Sequence, residues 1–116
     1  MKTLAQARAY FQHNLETSER NLAEFQKKLD RDPAYALEWS QAAFTDAARV
    51  RLCKAVLVDL SDCEDELIVE RIQSHLTQQA LNEARRPARS SSVTGNLMAQ
   101  EWASVCAEAA AYLDGM

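Results

Sequence analysis

Residues 3–31, TLAQARAYFQHNLETSERNLAEFQKKLDR, place apolar side chains at Leu4, Phe11, Leu15, Leu22, Phe25 and Leu29. The steps of seven, four and three line these groups up on one face of an α-helix, and Ser18 falls on the same line. Lys, Arg, Glu and Gln occupy the other faces. Thr3 and Gln6 have the spacing of a capping box, in which each side chain satisfies an orphan backbone N–H of the first turn. A helix over this span is about 42 Å long at 1.5 Å per residue, more than a small domain needs. Phe11, Leu15, Leu22, Phe25 and Leu29 are therefore expected to offer a coiled-coil-like seam to a second copy of the chain.

The remainder points to the same fold class. With only two Gly and two Pro among 116 residues, the chain lacks the punctuation of a turn-rich sheet, and its length suits one domain, residues 1–116. Asp32-Pro33 restarts the chain, Asp32 as N-cap and Pro33 in the first helical position, where its fixed φ fits. A second helix follows to about Asp59, with Leu37, Trp39, Ala43, Phe44, Ala47, Val50, Ala55, Val56 and Leu57 spread over more than one face. Such a helix belongs at the centre of a bundle. Ser61 and Glu64 again have capping-box spacing, predicting a third helix from Ser61 to about Ala84 through Leu67, Ile68, Ile72, Leu76 and Leu81.

Over residues 85–96 the apolar pattern stops at Pro87, Ser90 to Ser92 and Gly95, with Arg85, Arg86 and Arg89 among them, so a mobile, exposed linker is expected. A fourth helix should run from about Asn96 to Leu113 through Met98, Trp102, Val105, Ala109 and Tyr112, with Gly115 closing it in the left-handed conformation. The expected fold is an all-α antiparallel bundle of about four helices with a long first helix. Trp39 and Trp102 both fall on apolar faces and are expected as core or interface anchors, the apolar periodicity pointing to the core.

The chemistry of most enzyme classes is missing. His13 and His75 stand on different segments, outside any HExxH pattern, so neither a metal nor another cofactor is expected. Cys53, Cys63 and Cys106 show no CxxC spacing and fit reduced thiols in a cytoplasmic protein. Gly95 and Gly115 are isolated, so no glycine-rich loop cradles phosphate. No apolar run is long enough to span a membrane or to serve as a signal peptide. A net charge of −4 disfavours nucleic acid and anionic membranes as direct partners.

The acidic excess is local. DLSDCEDELIVE, residues 59–70, holds Asp59, Asp62, Glu64, Asp65, Glu66 and Glu70. Acidic groups in the first turn of a helix are each stabilised by roughly 0.3 to 1 kcal/mol, but so many neighbours also repel one another. The six are the candidate contact residues for a partner with a basic surface. A calcium loop of the EF-hand type is excluded by the absence of its ligand order and turn glycine.

The segment ALEWSQAAFTDAARV, residues 36–50, followed by the acidic helix, resembles the small, acidic, all-helical anti-CRISPR proteins of phages and mobile elements. The resemblance implies a non-enzymatic inhibitor that binds a CRISPR effector complex in the host cytoplasm and offers carboxylates to a surface that normally receives nucleic acid. Two other readings stand beside it. One is a structural or assembly protein, a homodimer or a small subunit of a larger complex. The other is a DNA-binding regulator, which neither helical junction favours, since neither combines a glycine turn with an exposed basic helix.

Overall fold

The structure, a computed structural model, describes residues 1–85 and 93–115, without the side chains of 35–38, 84–85 and 93–97. It is an all-α bundle of four helices: α1 (Leu4–Arg31), α2 (Tyr35–Ser61), α3 (Leu67–Arg85) and α4 (Val93–Asp114). Residues 86–92, the centre of the expected linker, lie outside the described residues, and α4 opens at Val93 rather than near Asn96.

α1 begins as its sequence predicts. The Thr3 hydroxyl accepts from the Gln6 N–H at 3.1 Å, and the Gln6 side chain accepts from the Thr3 N–H at 2.9 Å. At its other end the Asp32 N–H donates to the Lys28 carbonyl, while the Asp32 carboxylate accepts from the Ala34 N–H at 3.1 Å. This corrects the expected helix start: Asp32 is the C-cap of α1 rather than the N-cap of α2, and α2 opens at Tyr35, two residues beyond Pro33.

The second junction corrects the expected Ser61–Glu64 capping box. Ser61 is the last residue of α2, and its hydroxyl donates to the Val58 carbonyl at 2.9 Å. α3 starts six residues later, at Leu67, whose N–H is taken by the Asp65 carboxylate at 3.0 Å.

Contacts place the helices in the order α1, α2, α4, α3, with a slight α1–α3 contact closing the bundle. Arg8 meets Leu60 and Asn21 meets Asp46, so α1 and α2 are antiparallel. Thr45 meets Glu101 and Arg49 meets Glu108, so α2 and α4 run side by side in the same direction.

The core lies towards one end of a molecule 47 × 33 × 24 Å in extent. Leu4, Ala7 and Phe11 of α1 meet Leu52, Cys53, Val56 and Leu60 of α2, Val69, Ile72 and Leu76 of α3, and Val105, Cys106, Ala109, Ala110 and Leu113 of α4. Tyr10 stacks on Tyr112 with centroids 4.0 Å apart, and the Lys2 N–H donates to the Leu113 carbonyl at 2.9 Å. Gly115 then takes φ +83°, as its position predicts, with Met1 N 3.1 Å from where a Cβ would stand. Gly115→Ala is expected to cost about 1 to 2 kcal/mol, the left-handed penalty of an L-residue, and to lower the thermal midpoint accordingly. An unchanged midpoint would exclude this closure.

Beyond the core, the later part of α1 packs on the early part of α2. Ser18 is buried there, and the Asn21 amide donates to Asp46 at 3.4 Å. The buried Glu101 carboxylate accepts from the Thr45 hydroxyl at 2.8 Å and the Gln41 amide at 3.3 Å, so on α4 this charge is met by neutral donors of α2. Trp39 corrects the expectation of core packing: it is 46% exposed. Trp102 is half-buried, with the Arg51 guanidinium 5.2 Å from its ring centroid.

Candidate protein-binding surface

All six acidic candidates are exposed and gather where α2 hands over to α3. The fold uses two of them directly. Asp65 caps α3 through Leu67, and Glu66 reaches across the bundle to accept from the Leu4 N–H at 2.7 Å, an orphan donor at the start of α1. In return, Arg8 of α1 donates to the Leu60 carbonyl at 2.7 and 3.2 Å and to the Cys63 carbonyl at 2.6 Å, satisfying the end of α2. The two helix ends cap each other.

Asp59, Asp62, Glu64 and Glu70 have no ion pair or side-chain hydrogen bond among the described residues. Asp62, Glu64 and Glu70 stand elsewhere relative to the helix ends than the sequence suggests, while Asp59 falls near the end of α2 as expected. Asp59 lies in the last turn of α2 and Asp62 is its C-cap, at the negative end of the helix dipole, where carboxylates are disfavoured and basic residues preferred. α2 has no basic residue in its last turn. Of the four, Glu70 alone sits in a first turn, that of α3. Helix stabilisation therefore accounts for Glu70, Asp65 and Glu66 but not for Asp59, Asp62 or Glu64.

The expected dimer seam is divided. Phe11 has no exposed surface and Leu15 packs against the same core, so both serve the chain's own interior. Leu22, Phe25 and Leu29 are half-buried along the distal α1–α2 hairpin, where Phe25 and Trp39 line one shallow pocket.

Sequence reasoning missed Arg8. Its partners lie more than fifty residues away, and one Arg among several on a polar helix face gives no local signal of a backbone cap.

His13 and His75 are exposed, and among the described residues no group of three or more His, Cys, Asp or Glu converges as a metal set. No described helix is long and apolar enough to cross a membrane. The thiols divide by burial: Cys53 and Cys106 are in the core, while Cys63 is partly exposed beside Asp65. Burial pushes Cys53 and Cys106 up to about 11, and burial with the Glu108 charge pushes Tyr10 up to about 12. At pH 8, Cys63 is expected to react with a thiol reagent in the folded protein, and Cys53 and Cys106 only in denaturant. The unfolded chain releases these buried protons at lower pH than the folded one. Stability from them is therefore complete below about pH 9 and declines as the pH rises towards 11, which denaturant titration at successive pH values measures.

In comparison with known proteins, the chain matches no family model, no curated protein and no solved structure.

Proposed function

We propose that this chain is a non-enzymatic binding protein that uses the acidic α2–α3 corner to occupy a basic surface on another protein, as an inhibitor of a CRISPR effector complex would. The observation that supports this most is the placement of Asp59 and Asp62 at the wrong end of a helix dipole, a local cost that folding does not explain. The test is displacement of guide-directed DNA binding by purified CRISPR effector complexes, followed by fluorescence anisotropy. Wild type should inhibit at least one such complex, and less so as salt rises, since exposed charges are screened. The combined variant Asp59→Asn, Asp62→Asn, Glu64→Gln and Glu70→Gln should fold and fail to inhibit. Undiminished inhibition by that variant would remove the corner from the interface, and no inhibition of any complex by wild type would remove this partner class.

A second reading, a homodimer, is favoured by one observation: the exposed indole of Trp39 beside half-buried Phe25 on a hairpin that extends past the main core. Buried tryptophans are common anchors of interfaces. Sedimentation equilibrium should then give a dimer that Trp39→Ala dissociates. A monomeric mass at all concentrations would remove this reading.

A further inference from the structure

Between α2 and the α3–α4 hairpin, the core gives way to an open cleft of about 350 Å³. Ala47, Ala48 and Ala99 keep it open, because no larger side chain at these positions fills the space. Phe44, Met98 and Trp102 make it apolar, and Met98 is left 49% exposed beside it. Small-ligand sites occupy roughly 300 to 1,000 Å³ and combine such walls with a few polar groups.

Of the polar side chains that line the cleft, Arg51, Gln79 and Glu83, Arg51 brings the positive charge. Its guanidinium lies against the Trp102 ring, and a cation–π contact leaves the N–H donors unused. Among the described residues, no carboxylate or carbonyl accepts from them. A fork of donors on an apolar wall matches a carboxylate in geometry as well as charge. Glu83 stands on the α3 wall of the same cleft.

We propose that this cleft binds a small aromatic monocarboxylate, its ring against Trp102, Phe44 and Met98 and its carboxylate on Arg51. The site is separate from the acidic corner and does not depend on the function proposed for it.

Naphthalene-2-carboxylate is the probe, titrated by calorimetry into the wild-type chain and by fluorescence into Trp39→Phe, where Trp102 is the remaining tryptophan. Saturable binding to one site with a change in Trp102 emission is expected. Arg51→Gln should weaken it about tenfold or more, as should replacing the probe by naphthalene-2-carboxamide, because each removes a charge-assisted hydrogen bond. Ala47→Leu and Ala99→Leu, both at exposed positions, should block the cleft while circular dichroism shows the helices intact. The proposal is overturned by an absence of saturable binding at millimolar probe, by equal affinity of Arg51→Gln or of the carboxamide, or by full binding to both leucine variants.

Discussion

Phe11→Ala is expected to remove about 3 to 5 kcal/mol of stability, the largest loss from any single truncation in this chain. Phe11 is fully buried, meets the Tyr10 ring edge-on with centroids 5.1 Å apart, and belongs to the one core to which all four helices contribute. A void there has walls on several helices, so movement of one helix does not fill it. Domains of this size have a total stability of about 5 to 15 kcal/mol, so the variant would lose a large share of its native margin. Urea unfolding monitored by circular dichroism measures the loss. Phe25→Ala, half-buried in the distal hairpin, should cost clearly less in the same assay. If the two costs are equal, the core is not centred where these contacts place it.

Arg8→Ala is expected to cost about 2 kcal/mol, because its charged donors satisfy backbone carbonyls of Leu60 and Cys63 that water does not fully reach. Glu66→Ala should cost about 1 kcal/mol, the usual loss for a helix cap. Since both clamp the same corner, the double variant should depart from additivity. Asp59→Asn and Asp62→Asn should do the opposite and raise the thermal midpoint slightly, each relieving a carboxylate at a helix C-terminus. This contrast separates the carboxylates that the fold needs from those it tolerates. Destabilisation by Asp59→Asn would place that residue with the first group and weaken the case for a binding surface.

Features set by nearby residues were legible in the chain. Thr3 with Gln6 started α1, the narrow stripe carried it to Arg31, and Gly115 closed α4, because each depends on groups within a turn or two. Ser61 with Glu64 has the same local pattern and was misread. The α-helical run of α2 simply continues through Ser61, whose hydroxyl turns back to Val58. The caps that hold the corner, Arg8 on Leu60 and Glu66 on Leu4, link positions remote in sequence, and no local pattern distinguishes them from surface charges.

The same limit applies to the candidate surface. The cluster from Asp59 to Glu70 was visible as composition, and Asp59 stands at the end of α2 as the sequence suggests, but the misplaced start of the third helix put Asp62 in a first turn when it caps the C-terminus of α2. Apolar periodicity likewise placed Trp39 on a helical face without revealing that it stays about half exposed. The Arg51–Trp102 cleft needs three helices to exist and left no trace in any one of them.

The meeting of Lys2 with Leu113 and of Tyr10 with Tyr112 has a kinetic consequence. Helical bundles fold fast when their contacts are local, and here the α1 face of the core waits for a helix at the far end of the sequence. During synthesis Phe11 remains without its full set of neighbours until α4 has emerged. Refolding should accordingly be slower than that of a bundle whose successive hairpins each complete their own interior, with the α1–α4 contact among the last to form.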